Sequence, residues 1–265
     1  MKKILLSIFM VLGMCSYAVG ADLVLADVKF REQSNYVDYC EDAEFCLRMN
    51  GTENNSLLDE SGNDNHCSNE DASYTTTDCK ESGCYSFNGT TSLIRCGRSS
   101  ILDDMTAISI SLWAVNDSEG EGENGLLINK RFDGDGGTGG WDFWEGSAAN
   151  TNVIQFTVDH ATTDLKVITD NNAWVTSELT HFLVTWDGST TASNVHIYIN
   201  GVEATYQTQI DGVGARVSDS SKNIIIGNSS GSKVRTHDGT IDEVIIREEV
   251  LSQAEVTNIY QNGLR

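Results

Sequence analysis

From residue 24 onward, apolar and polar positions alternate in short runs separated by Gly, Asn, Asp and Ser clusters, the period-2 pattern of half-buried strands. Val24, Ala26, Val28 and Phe30 share one face of a first predicted strand, and 45–49 reads as the next. The runs 84–87 and 92–95 flank Asn88-Gly89, which predicts a hairpin. Ile108, Ile110, Leu112 and Ala114 alternate with Ser109, Ser111 and Trp113. Further runs at 126–128, 141–144, 153–158, 165–168, 181–186, 195–199, 224–226 and 241–246 complete the set. About a dozen strands at this spacing predict a two-sheet sandwich.

A single helix is predicted, at the C-terminal end. Ser252-Gln253-Ala254-Glu255 is a capping box, Leu251 and Val256 sit where a hydrophobic staple would, and Asn262-Gly263 supplies the stop. Residues 52–82 are polar and cysteine-bearing, which reads as a stapled, loop-like excursion. The fold class expected is therefore all-β, an antiparallel two-sheet sandwich with a short terminal helix.

Composition narrows the function classes. The 265 residues carry 17 Lys and Arg against 39 Asp and Glu, a net charge of −22. A surface this acidic repels nucleic acid and anionic lipid. Proline is absent, so turns rest on Gly, Asn, Asp and Ser. The start of the chain reads as an export signal: basic Lys2-Lys3, an apolar stretch 4–14, and small residues favouring cleavage near Gly20. That stretch is too short to span a bilayer, so the expectation is a secreted, extracellular or periplasmic protein with no membrane insertion. Cleavage would leave 15 basic residues against 39 acidic ones, a net −24.

It would also remove Cys15, leaving Cys40, Cys46, Cys67, Cys79, Cys84 and Cys96. Six cysteines in an exported chain argue for three disulfides, with the connectivity open.

Gly239-Thr240-Ile241-Asp242-Glu243-Val244 followed by Leu251-Ser252-Gln253-Ala254-Glu255-Val256 resembles the C-terminal signature of laminin G-like, concanavalin A-like domains. Leu58 to Asn65 resembles their D-x-S-G-N-x-N loop, and Tyr85 to Gly89 their F-N-G hairpin. The segments 107–114, 181–187 and 195–202 resemble further family motifs, in the family's order. The resemblance covers residues 45–265, after a signal at 1–20 and an extension at 21–44, and implies a jelly roll. The extension and the six cysteines depart from the family pattern.

The resemblance also suggests a structural calcium between the loop 59–65 and the strand bearing Asp242. Carried over, the candidate ligands are Asp59, Asn63 and Asp242, with Asn50 from the preceding strand. An Asx-turn beside a solvated acidic edge is the alternative reading of the same residues. Strand alternation puts Asp242 and Glu243 on opposite sheet faces. Trp141 and Trp144, beside Asp133 and Asp135 of a glycine-rich loop, are candidate ligand-binding residues, since aromatic faces next to carboxylates suit sugar rings. Core packing is the competing role for the aromatics.

Catalytic patterns are weak. Gly227-Asn228-Ser229-Ser230-Gly231 matches G-x-S-x-G, but no helix pattern follows it. No strand carries the alternating acids of jelly-roll glycosidases. The expected function is a secreted, non-enzymatic binding or adhesion module for a glycan or an extracellular protein. The alternatives are a surface-layer or filament subunit self-assembling through the N-terminal strand, and a polysaccharide hydrolase or lyase.

Overall fold

The computed structural model describes residues 37–53, 55–131, 138–147, 150–220, 222–231 and 233–264. The signal, the predicted strand 24–30, Asp133 and Asp135 lie outside the described residues. In chain order the strands are β1 (Phe45–Leu47), β2 (Ser68–Glu70), β3 (Ser73–Thr75), β4 (Cys84–Asn88), β5 (Leu93–Arg95), β6 (Ile108–Asn116), β7 (Leu126–Asn129) and β8 (Trp141–Ser147). They continue as β9 (Asn150–Val158), β10 (Leu165–Thr169), β11 (Leu179–Trp186), β12 (Val195–Ile199), β13 (Val202–Glu203), β14 (Tyr206–Ile210), β15 (Ile225–Ile226) and β16 (Asp238–Arg247). One helix, α1 (Gln253–Asn262), follows.

These strands form two antiparallel sheets of eight strands each. The first runs β13-β12-β11-β6-β16-β4-β3, with β1 also on β16; the second runs β14-β10-β9-β8-β7-β15-β5-β2. Alternation sends Ile110, Leu112 and Ala114 of β6 and Phe182, Val184 and Trp186 of β11 into the space between the sheets. Trp141 and Phe143 of β8 and Phe156 and Val158 of β9 enter it from the other side. Phe156 lies edge-on to Phe143 at 6.4 Å and reaches Trp186 of the first sheet at 6.5 Å, tying the layers together.

A second, smaller core covers the outer face of the first sheet. Leu251, Val256, Ile259 and Leu264 pack there on Leu183, Tyr198, Ile245, Tyr39 and the Cys40–Cys46 disulfide. The capping box forms as the sequence predicts, with Glu255 Oε2 accepting from the Ser252 N–H at 2.7 Å. Gly239 shows why the family signature begins with glycine. Its φ is +143°, and a Cβ there would run into the Val115 carbonyl of β6.

Two predicted elements are corrected. Asn88-Gly89 is not a hairpin turn, because β4 joins the first sheet and β5 the second. The Asn88 side chain accepts from Thr90, Thr91 and Ser92 N–H groups (3.0, 2.8 and 3.2 Å), building a corner that carries the chain between layers. The region 52–82 is not only loop: β2 edges the second sheet and β3 the first. Disulfides Cys67–Cys96 and Cys79–Cys84 fasten that region to β5 and β4.

Candidate binding face

The helix occupies the outer face of the first sheet, so the ligand-facing candidate is the outer face of the second. Strand register there lines up one residue from each strand: Ile210, Lys166, Thr157, Asp142, Asn129, Ile225, Arg95 and Ser68. An adjoining row carries Thr208, Ile168, Gln155, Trp144 and Leu126. The same alternation that buries Trp141 and Phe143 turns Asp142 and Trp144 outward.

The short polar side chains of these rows lie beneath longer ones. Asp142, Gln155 and Thr157 are only 2–3% exposed, while Trp144, Arg131, Arg235, Lys166 and Arg95 are half-buried and reach solvent. Gln155 Nε2 donates to Thr157 Oγ1 at 2.9 Å. Arg131 donates to Asp142 Oδ2 at 2.9 Å and to Asp159 Oδ1 and Asp164 Oδ2 at 3.1 Å each. Burial pushes the Asp142 carboxyl up and the Arg131 guanidinium pulls it back. The Arg235 guanidinium lies over the Trp144 ring, 4.9 Å from its centroid.

Of the residues singled out for ligand binding, Trp144 is on this face. Trp141 is not: its side chain is fully buried between the sheets and serves packing. Trp141→Ala should therefore cost about 3–5 kcal/mol of stability, and Trp144→Ala about 1 kcal/mol or less. Thermal denaturation of the two variants checks this, and equal losses would return Trp144 to the core. Arg131, Arg235 and Lys166 were missed by sequence reasoning. Lys166 was legible, since it alternates with inward Leu165 and Val167. The two arginines lie in loops, and only the fold brings Arg235 to Trp144 and Arg131 to Asp142.

The four calcium candidates fall in two parts of the fold, Asp59 and Asn63 in one turn and Asp242 and Asn50 at the Cys79–Cys84 loop. Asp59 is 6% exposed and its carboxylate is already occupied by protein donors. Oδ1 accepts from the N–H groups of Cys46 (3.0 Å) and Ser61 (3.1 Å) and from Ser61 Oγ (2.7 Å), and Oδ2 from the Asn65 N–H (2.9 Å). Asn63 shares that turn, its amide donating to the Ala43 and Glu44 carbonyls at 3.0 and 3.3 Å. Asp242 lies elsewhere, under the Cys79–Cys84 loop, where Oδ2 accepts from the Lys80 and Glu81 N–H groups (2.8 and 3.2 Å). Asn50 meets that loop through its carbonyl, which accepts from Ser82 Oγ at 3.1 Å. Among the described residues no group of three or more His, Cys, Asp or Glu is placed to hold an ion.

Asp242 and Glu243 do not point to opposite faces. Register between β16 and β6 slips between Asp242 and Ile245, and Glu243 adopts a φ of +48°, a bulge where β16 exchanges its partner β4 for β1. Both carboxyls turn outward, Glu243 Oε2 accepting from the Leu264 N–H at 3.3 Å while Oε1 has no partner. Burial, together with the adjacent Asp242 charge, pushes Glu243 up to about 8. Burial pushes Asp242 up to about 7 against the pull of its backbone N–H donors. Lys80 closes the loop over this pair, its ammonium 4.2 Å from the Trp113 ring centroid. Ser229 of the G-x-S-x-G match is 3% exposed, in a loop that leads into no helix.

Two stacked antiparallel sheets with one packed face and one polar, aromatic-bearing face define a jelly-roll sandwich by architecture. The family model described as concanavalin A-like lectin/glucanases superfamily, of the laminin G type, matches residues 88–257, and the chain belongs to that family. No protein of curated function matches it in sequence. Among solved structures, the binding domain of Paraclostridial Mosquitocidal Protein 1 is similar at a TM-score of 0.63 and 15% identity, over 84% of this chain and 52% of that one. The botulinum neurotoxin serotype D binding domain gives 0.60 and 16%, over 84% and 52%. The chain thus spans about half the length of these toxin domains. Domain 4 of AbnA, a GH43 extracellular arabinanase from Geobacillus stearothermophilus solved with arabinotriose, gives 0.55 and 19%, over 82% of this chain and all of that one. At these identities the likeness is one of fold. The two toxin structures are binding domains, and three disulfides fit an extracellular environment. No helix among the described residues is long and apolar enough to cross a membrane.

Proposed function

We propose that the chain is an exported, non-catalytic recognition module that binds a glycan on the outer face of its second sheet. The observation that carries this reading is Trp144, a half-buried indole turned to the outer face, opposite Gln155 and one row from the Asp142–Thr157 pair. An outward aromatic offers the apolar side of a sugar a surface to pack on, and longer polar side chains that reach solvent on the same face, Lys166 among them, can meet its hydroxyls. The arabinanase domain solved with arabinotriose supports a glycan ligand on this fold.

Glycan-array binding of the exported chain tests it, with Trp144→Ala beside the parent. Losing the stacking platform should weaken binding roughly tenfold or more while the fold is retained. A blank array from folded protein, or undiminished binding by Trp144→Ala, would sink the reading.

A surface protein is the second reading. A groove lined by Asp170, Asn171, Asn172, Ile199, Glu203 and Thr205 carries Val202, which is 70% exposed at the edge of the first sheet. The botulinum neurotoxin DC binding domain, similar in fold at a TM-score of 0.58, is solved with rat synaptotagmin II. Protein binding lost on Val202→Asp and kept in Trp144→Ala would favour this groove.

A further inference from the structure

Lys130 directly follows β7, two positions after the core residue Ile128, and is among the largest side chains with no exposed surface. Lysine is almost never fully buried without a partner, and this ammonium has one for each of its three N–H bonds. Lys130 Nζ donates to Asp103 Oδ1 at 2.7 Å, to Asp219 Oδ1 at 2.8 Å and to the Asp219 carbonyl at 2.9 Å. The two carboxyl groups are held differently. Asp219 is fully buried with further donors on both oxygens, Arg216 Nη2 on Oδ2 at 2.8 Å and the Asp104 N–H on Oδ1 at 2.9 Å. Asp103, at the end of the short turn Ser100–Leu102, presents its carboxyl to Lys130 and keeps part of it at the surface. A buried amine between two carboxyl groups has the parts of a condensation. Lys130 Nζ is the nucleophile, the Asp103 carboxyl carbon lies one bond behind an oxygen that Nζ already touches, and Asp219 is within reach for proton transfer. Partners held in contact in this way react as if at an effective concentration of about 10⁵ M or more.

We propose that Lys130 and Asp103 become covalently joined by an isopeptide amide between Lys130 Nζ and Asp103 Cγ, with Asp219 as the base. One proton passes from Nζ to the Asp103 carboxyl, a transfer that burial assists because charged forms are penalised away from water. The Nζ lone pair then attacks Cγ while Asp219 Oδ1 accepts a second proton, which Asp219 hands on to the departing Asp103 hydroxyl. The Nζ–Cγ bond forms, one Cγ–O bond breaks, and one water leaves by the exposed side of Asp103. The third N–H stays on the amide and keeps its bond to the Asp219 carbonyl. Ammonium and carboxylate give amide and water, so the step needs no oxidant, activating group or other reactant. The crosslink ties the turn ahead of β6 to the end of β7, across 27 positions of chain, and does not depend on what the domain binds.

The test is the electrospray mass of the exported chain with its disulfides reduced. The chain should weigh about 18 Da less than its sequence requires, the mass of one water. Cleavage after glutamate should then leave the fragments 82–119, bearing Asp103, and 124–145, bearing Lys130, as one branched species. Asp103→Ala removes the acceptor carbon and Asp219→Ala removes the base. Both variants, with folding checked by circular dichroism, should show the full mass. The full mass in the parent would overturn the bond. So would a deficit with the two fragments separate, or one that persists in Asp103→Ala, since either places the lost water elsewhere in the chain. A deficit retained in Asp219→Ala would remove Asp219 as the base.

Discussion

Replacing Cys67 and Cys96 together by alanine is expected to lower the melting temperature by roughly 10 °C, the largest loss among the three disulfides. The bond joins positions 29 residues apart, and closing a loop of that length removes about 3–4 kcal/mol of chain entropy from the unfolded state. The Cys40–Cys46 and Cys79–Cys84 bonds close separations of only 6 and 5 residues, worth about 2 kcal/mol each by the same argument. Position adds to length. Cys67 and Cys96 adjoin the paired strands β2 and β5, where Ser68 lies opposite Arg95, at the edge of the second sheet. Strands of three residues are too short to hold that edge by backbone bonds alone, so the crosslink and the ladder support each other. Alanine avoids placing a new hydroxyl at Cys96, which is 3% exposed in the main core. Thermal melts of the three double variants rank the bonds, and a Cys67–Cys96 loss no greater than the other two would refute the loop-length account.

The strands and the helix were legible because their signals are local. Period-2 alternation in β6, β9 and β11 and the capping box at Ser252 depend on residues within one turn or one pleat. Strand partners are not local. Asn88-Gly89 has hairpin chemistry, yet β4 finds β16 and β5 finds β15 and β2, and the turn becomes a corner. The bulge in β16 did leave a trace. Ile241 and Val244 both face the main core but are three apart, a phase slip that strict alternation cannot accommodate. Reading Asp242 and Glu243 as alternating neighbours overlooked it. The candidate face divides the same way. Trp144 follows from alternation within β8, whereas Arg131 and Arg235 are 104 positions apart and meet only through the strand order β8-β7-β15.

Stability should fall as the pH is raised from 6 to 8, and Glu243 is the main cause. Its carboxyl, ordinarily near 4.5, is pushed up to about 8 by burial and by Asp242, so the folded state holds a proton that the unfolded chain has already released. A raised pKa contributes stability that is complete below about pH 4.5 and is lost progressively as the pH climbs to about 8. The geometry says where the proton sits. Asp242 accepts three backbone N–H groups, from Lys80, Glu81 and Glu243, which favour its charged form, whereas Glu243 Oε1 has no partner and is free to be protonated. One proton lost over two pH units amounts to roughly 2 kcal/mol, or about 4–8 °C in melting temperature for a chain of this size. Other groups add to the trend. His237, fully buried and 2.7 Å from Glu145, has its pKa raised by that carboxylate in spite of burial, and it too loses stabilisation as the pH rises. The decisive quantity is therefore the difference between the parent and Glu243→Gln. Glutamine keeps the acceptor for the Leu264 N–H but cannot ionise, so the variant should melt close to the parent at pH 5.5 and clearly above it at pH 8.5. Parallel curves across that range would mean that Glu243 is ionised in the folded state.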